Sequence, residues 1–292
     1  MNDLASPERP LWNRFVDFPL VAMVVAIAFY LMAVRLGFYL GQFVSAGQPA
    51  TAIIQAAVTL TLTLVTYKLA ITRLGKRPRD DLRTAGAVPD LVRGLATGAA
   101  LFSAVVGVAA AFGVYRVTGR GTVSEILVPV IATSIMPGFM EEIFFRGILF
   151  RWIEEFAGSW AALIVTSALF GIAHILNPGA TWFSSFAIAI EAGLLLGSVY
   201  MLTRSLWMPI GLHAAWNFIQ GPVFGVPVSG GPPNGLLHSA LEGPTLLTGG
   251  AFGLEASLIC LTLATAAGLW FLWLALNRGA VVRPMWSRRR PT

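Results

Sequence analysis

The chain has 292 residues, of which 56% are hydrophobic and only 12% are charged, and its mean hydropathy is +0.74. Because an ordinary soluble domain has about 25% charged residues, this composition excludes a soluble globular protein and indicates one that is integral to a membrane. The net charge of +6 does not point to nucleic acid as a partner, because the lysines and arginines lie in loops and tails, where membrane topology accounts for them.

Continuous apolar runs recur along the chain, and a run of about 20 residues can cross a hydrocarbon core about 30 Å thick as a helix. The predicted fold class is all-α, a polytopic membrane protein with about eight transmembrane helices in one bundle. In chain order, the predicted helices cover residues 19–43, 52–71, 91–117, 124–156, 159–175, 184–202, 206–218 and 252–276. We divide the chain into an N-terminal segment (1–18), a transmembrane domain (19–277) whose polar motifs lie within 124–220, and a basic tail (278–292).

Local signals mark the start, the bend and the packing of individual helices. Ser124 and Glu125 predict an N-cap and an acidic first turn for helix four. Pro137 lies inside the same helix and leaves a backbone carbonyl that needs another partner. In helix three, Gly94 and Gly98 are four residues apart, which predicts close packing against another helix.

The connection at 221–250 is rich in Gly and Pro and contains no Lys or Arg. A structureless connection of this length is unusual in a compact domain and is often functional. The sequence predicts either a re-entrant flap or a mobile loop, with His238 exposed to solvent. Cys260 lies in an apolar run without a His or an acid close to it in sequence, which does not favour a nucleophile.

Basic residues are distributed unevenly between the two sides of the predicted bundle. With eight helices both termini lie on one side, and the loops of the other side contain only two basic residues, Arg116 and Arg120. The basic side carries Arg9, Arg14, Arg73, Lys76, Arg77, Arg79, Arg83, Arg151, Arg204, Arg278, Arg283, Arg288, Arg289 and Arg290. Since positively charged loops stay in the cytoplasm, both termini are predicted to be cytoplasmic, in a protein of the cytoplasmic (cell) membrane.

Helix four places two adjacent carboxylates and an arginine inside an apolar run. Each ionisable group at membrane depth costs roughly 2.5–3.5 kcal/mol on insertion scales, so these residues are expected to serve a purpose. Glu142 and Arg146 are four apart and can form an ion pair. Glu141 points about 100° away on the helix, which leaves its carboxylate free to act as a general base. The alternative is a structural polar cluster that only ties helices together.

Two further helices carry polar side chains that face inward. His174 follows Phe170 by four residues, and a single buried His is often a hydrogen-bonded core residue. His213 and Asn217 share one helix face, where they could bind a metal, donate to an oxyanion or link helices. The spacings typical of zincins, of serine hydrolases and of nucleotide-binding loops do not occur in the sequence, which disfavours those classes.

The polar motifs therefore occur in order as Glu141-Glu142-x-x-x-Arg146, Phe170-x-x-x-His174 and His213-x-x-x-Asn217. Together they resemble the signature of the CAAX protease and bacteriocin-processing (CPBP, or Abi) family of intramembrane proteases, which includes the Ras-converting prenyl-protein endopeptidases. The resemblance covers about 124–220, and the order and all six polar positions match. It implies an intramembrane endopeptidase, and we expect it to hydrolyse a peptide bond near the cytoplasmic membrane face.

The resemblance also implies a role for each motif residue. Glu141 with His174 would activate a water, and Arg146 would orient the Glu pair. His213 with Asn217 would steady the oxyanion or help to coordinate a metal. The expected cofactor is one divalent metal ion, zinc first, with ligands from Glu141, His174, His213 and Asn217; a metal-free glutamate mechanism is the other option. The expected partners are the lipid bilayer and a peptide or protein substrate at the membrane, for which a lipidated chain is one possibility.

Two other functions compete with proteolysis at the level of sequence. Intramembrane Glu and His residues also form proton relays in transporters, although no internal repeat supports a proton-coupled transporter. A non-catalytic membrane scaffold would use the polar groups only to join helices. Glu191 is a further intramembrane acid, which is expected to pair with Arg35 or with a site histidine.

Overall fold

The structure is a computed structural model that describes residues 15–44, 47, 49–76 and 78–288. Parts of the predicted N-terminal segment and of the basic tail lie outside these residues. The basic residues of the topology prediction that lie outside them are Arg9, Arg14, Arg77, Arg289 and Arg290.

Helices make up most of the described residues. They are α1 (Pro19–Gly41), α2 (Ala50–Leu69), α3 (Ala87–Ala111), α4 (Val123–Ala157), α5 (Ser159–Leu176), α6 (Trp182–Thr203), α7 (Trp207–Phe218), the single-turn α8 (Thr245–Thr248) and α9 (Leu258–Asn277). Two wide π-helical stretches, Val130–Ile135 and Ile143–Phe150, interrupt α4 on either side of the Glu pair. The last turn of α5, His174–Leu176, is a 3₁₀ turn.

Seven helices within the described part of the chain are long and apolar enough to cross a membrane, and these are α1 to α6 and α9. The protein is therefore an integral multi-pass membrane protein with an all-helical bundle, close to the predicted eight spans. The predicted span at 206–218 forms as α7, which has only 12 residues. Such a helix rises about 18 Å, too little to cross alone, and its side chains are mostly buried among the other helices.

A two-stranded ribbon is the main departure from the predicted elements. β1 (Tyr115–Arg120) pairs antiparallel with β2 (Leu237–Leu241). The prediction that helix three continues to residue 117 is wrong, because Gly113 adopts a left-handed φ of 72° just after α3 ends. The β-branched and aromatic residues that follow favour an extended strand. The connection at 221–250 is likewise not structureless, because it contains β2 and α8.

Two predicted helix starts are also displaced. Thr122 rather than Ser124 caps α4, and its backbone N–H donates to Glu125 Oε2 at 3.3 Å. The last helix begins at Leu258 instead of 252, and the hydroxyl of Ser257 accepts from the backbone N–H three residues on. The residues between 250 and 256 form two 3₁₀ turns instead.

α3 and α7 pack with their backbones in direct contact. A Cβ atom added to Gly94 would lie 2.2 Å from the carbonyl oxygen of Met208, and one added to Gly98 would lie 2.2 Å from that of Leu212. Both distances are far below van der Waals contact, so the predicted close packing of this glycine pair is confirmed. Because Leu212 precedes His213, this contact sets the position of the helix that carries two site residues.

We expect Gly98→Ala to lower the thermal stability of the purified protein, because α7 must move away to make room for the methyl group. Overpacking of this kind costs about 1–3 kcal/mol. Gly107→Ala is the matched control: it lies on the same helix with no atom within 4 Å of the added Cβ. The control should be neutral or stabilising, since alanine is the better helix former. Equal melting temperatures for the two variants would contradict the close contact.

Candidate active site

Four of the six predicted site residues, contributed by three different helices, line a single cavity of about 240 Å³. They are Glu141 of α4, His174 of α5, and His213 and Asn217 of α7. The walls between them are mostly apolar. The remaining two, Glu142 and Arg146, lie behind the cavity wall and are fully buried.

Glu142 and Arg146 form the predicted ion pair, and the pair has a third member. Glu142 Oε1 accepts from Arg146 Nη1 at 2.9 Å and from His213 Nδ1 at 2.9 Å. Arg146 Nη2 also donates to the backbone carbonyls of Ala192 at 3.2 Å and Gly193 at 3.4 Å. One buried carboxylate and one buried guanidinium therefore join α4, α6 and α7, and they fix the ring of His213 at the cavity wall.

Glu141 differs from its neighbour in its position, because Glu141 lines the cavity whereas Glu142 lies behind the wall and is bonded to Arg146 and His213. The Oε2 atom of Glu141 is buried and has no hydrogen-bond partner among the described residues. The main chain beside it is held by Tyr30 of α1, whose hydroxyl donates to the carbonyl of Met140 at 3.0 Å. The site thus holds a carboxylate at the cavity wall without the ion pair that neutralises Glu142.

The ring of His174 is oriented by its own helix. Its Nδ1 lies 2.7 Å from the carbonyl oxygen of Phe170, which can only accept, so Nδ1 carries the proton. In the neutral ring Nε2 is then left as an acceptor. The Phe170 ring lies 4.8 Å from the His174 ring, 6.1 Å from the His213 ring and 4.9 Å from Cζ of Arg146. This phenylalanine therefore separates the two histidines and covers the buried guanidinium.

Asn217 binds the backbone carbonyl that the proline in α4 leaves without a helical partner. Pro137 has no N–H, so the carbonyl of Thr133, one turn earlier, has no helical partner there. Asn217 Nδ2 donates to that carbonyl at 2.7 Å. The contact joins α7 to the bend in α4 and leaves the second amide hydrogen of Asn217 for another acceptor.

The predicted metal ligands do not form a metal centre as they are arranged. Nitrogen and oxygen donors of this kind suit zinc. However, nowhere in the part of the chain that the structure describes do three His, Cys, Asp or Glu side chains approach closely enough to hold an ion. We therefore derive no step through a metal, and the divalent cofactor stays a prediction.

The sequence analysis missed the residues that close the cavity. Val228, Ser229, Gly231 and Glu255 line it from the segment between α7 and α9. Glu255 Oε2 accepts from the backbone N–H of Ser229 at 2.7 Å and from its hydroxyl at 2.9 Å. Ser229 has a left-handed φ of 46°, which this pair of bonds holds in place. The signal in the sequence is Glu255, an acid three residues before an apolar run. The predicted helix 252–276 includes this residue.

Three other polar residues lie outside the cavity. The expected pairing of Glu191 with Arg35 or a site histidine is wrong: Glu191 is buried, and neither carboxylate oxygen has a hydrogen-bond partner within the described ranges. Its electrostatic neighbours are Cys260 and Glu255. Arg35 is exposed on α1, and His238 is exposed on β2, as expected for the latter.

Residues 122–219, about a third of the chain, match the family model described as type II CAAX prenyl endopeptidase Rce1-like. This range contains all six residues of the three sequence motifs. Searches against curated proteins and against solved structures found no match. The family match confirms the resemblance on which the site prediction was based.

Proposed function

Because residues 122–219 form a domain of the type II CAAX prenyl endopeptidase Rce1-like family, we propose that the protein is an intramembrane endopeptidase that uses a Glu141-activated water. One observation carries this proposal: Glu141, whose Oε2 atom has no hydrogen-bond partner among the described residues, lines the same cavity as two histidines and Asn217. The family match favours proteolysis over a proton-coupled transporter or a non-catalytic scaffold.

The first step is attack of water on the carbonyl carbon of the peptide bond. The water gives its proton to Glu141 as the new C–O bond forms, which is general-base catalysis. Nε2 of His174 accepts a hydrogen bond from the same water and orients it. The carbonyl oxygen becomes an oxyanion, towards which Asn217 turns its remaining amide hydrogen.

The second step breaks the C–N bond. The oxyanion returns its electron pair to carbon, and Glu141 passes the proton to the departing nitrogen, so that the products are a carboxylic acid and an amine. At neutral pH the acid then gives its proton to the amine, which leaves a carboxylate and an ammonium group. His213 can hold a second proton beside the Glu142 carboxylate, and Nε2 then donates to the oxyanion. Glu142 and Arg146 take no part in bond making, but they position His213.

The substrate can be sought without assuming its identity. Cells that produce the wild-type chain are compared with cells that produce Glu141→Gln at equal level, by enrichment and sequencing of protein N-termini. We expect new N-termini in membrane proteins only with the wild type. In ¹⁸O water, the purified enzyme should place one heavy oxygen in the new C-terminal carboxylate. Identical sets of N-termini in both cells would contradict the proposal.

Whether cleavage needs a divalent metal ion is tested separately. Because no three His, Cys, Asp or Glu side chains of the described residues lie within reach of one ion, we expect cleavage by the purified protein to be unchanged after dialysis against a strong chelator. Turnover and bound metal are measured on the same sample, before and after. Loss of activity that zinc restores would instead support the four predicted ligands, since structural change on binding would then complete the site.

A further inference from the structure

The cavity is confined to one half of the bundle. Its lining comes from the middle of α4 and of α6, the end of α5 and the second half of α7, and it is closed by 228–231 and Glu255. The same end carries the β1–β2 ribbon, where Tyr115 donates through its hydroxyl to Phe224 O at 3.0 Å and Gly121 N–H donates to Leu236 O at 3.0 Å. We call this the ribbon end.

The opposite end, where α2, α4, α6 and α9 finish and α7 begins, is tied together by basic side chains, and we call it the basic end. Lys68 Nζ lies 2.6 Å from Asp80 Oδ2, and Arg151 Nη1 donates to the carbonyl of Arg79 at 3.1 Å. Arg204 binds both Glu154 and the carbonyl of Ala280. These contacts show that the loop after α2, the end of α4 and the chain after α9 meet on one face.

The two ends differ strongly in positive charge among the described residues. The ribbon end has only three basic side chains, Arg35, Arg116 and Arg120, and Arg116 is paired with Glu242 at 2.7 Å. The basic end has eleven, namely Lys68, Arg73, Lys76, Arg79, Arg83, Arg93, Arg151, Arg204, Arg278, Arg283 and Arg288. Since an excess of Lys and Arg near the ends of spanning helices is retained in the cytoplasm, the basic end faces the cytoplasm.

Two of the sequence predictions now exclude each other. The described part of the chain begins and ends at the basic end, as the contacts of α1 and of the chain after α9 show. The walls of the cavity lie from mid-depth to the ribbon end. Cytoplasmic termini and a reaction near the cytoplasmic face cannot both occur in this fold. The charge distribution supports the prediction that the termini are cytoplasmic.

We infer that the cavity lies in the non-cytoplasmic half of the membrane, so that its substrates are extracytoplasmic segments of membrane-spanning or exported polypeptides. The orientation stands on the charge distribution alone, whereas the substrate class rests on the proposed function. A C-terminus that is lipidated and held at the cytoplasmic surface would meet the basic end, and the residues that line the cavity of Glu141 do not lie at that end.

Cysteine labelling tests the orientation without any assay of proteolysis. The native chain has one cysteine, Cys260, which is buried and serves as the unreactive background. Asn234→Cys places a thiol in the exposed part of the ribbon end, and Ser287→Cys places one at the basic end. Neither residue belongs to the cavity. Each full-length variant is treated in intact cells with a membrane-impermeant maleimide, and again after permeabilisation.

We expect Asn234→Cys to be labelled in intact cells and Ser287→Cys only after permeabilisation. The reverse pattern, or labelling of both in intact cells, would overturn the inference while leaving peptide hydrolysis open. If the labelling is as expected, the N-termini that depend on Glu141 should map to extracytoplasmic segments, and cleavage sites in cytoplasmic segments would refute the substrate class. The expected labelling with no Glu141-dependent cleavage would reject the proposed function and leave the orientation intact.

Discussion

Replacing Glu141 by Gln is expected to lower the rate of peptide cleavage by about 10²–10⁴-fold, the range that a positioned general base contributes. The amide keeps the size of the side chain but cannot take a proton from water. Stability should not fall, because the buried Oε2 atom of Glu141 has no hydrogen bond to lose among the described residues. Single-turnover cleavage of an identified substrate and thermal unfolding of the same sample measure the two effects.

The matched control for this variant is Glu125→Gln, at the start of the same helix. Glu125 is about half exposed and closes the capping box of α4, a role that Gln also fulfils. Its turnover and melting temperature should equal those of the wild type. A Glu141→Gln protein that cleaves within about twofold of the wild-type rate would exclude Glu141 as the base that takes the proton from water.

Replacing Arg146 by Met is expected to destabilise the folded protein by about 3–5 kcal/mol, the usual effect of removing one partner from a buried ion pair. The methionine would leave Glu142 in the interior with His213 as its remaining partner. Equilibrium unfolding in detergent measures the loss. Arg93→Met is the control, because its ion pair with Asp90 on α3 is exposed and such pairs contribute roughly 0–1 kcal/mol.

The double variant Glu142→Gln with Arg146→Met separates charge from packing. Without the orphaned carboxylate it should recover part of the stability that Arg146→Met loses, since a neutral replacement of a buried pair is often tolerated. Cleavage should remain low, because His213 loses the carboxylate that positions it. If Arg146→Met is as mild as Arg93→Met, the buried pair does not hold α4, α6 and α7 together.

The sequence predicted those parts of the site that depend on local geometry. A separation of four residues places Glu142 beside Arg146 on any α-helix, and the pair is present. The same rule placed His213 and Asn217 on one face of α7. The need for a partner at the carbonyl freed by Pro137 also followed from the chain itself, although its identity as Asn217 did not.

Contacts between segments that are distant in sequence could not be predicted from local spacing. Nothing local to His213 indicates that its Nδ1 meets Glu142, 71 residues earlier. Glu255 and Ser229 enter the cavity only because the chain after α7 folds back over it. The ribbon was missed because β1 and β2 are separated by more than 100 residues, and strand pairing across such a distance leaves no periodic signal in either strand.

The wall formed by 228–231 and Glu255 has a consequence for biosynthesis. Chains are made from the N-terminus at about 5–20 residues per second, so the helices α4 to α7 are made before this wall is. A ribosome-bound intermediate that ends before residue 228 already carries all six motif residues, yet its reaction chamber is open on one side. We therefore expect such a truncated chain to be inactive until the last quarter of the polypeptide is added.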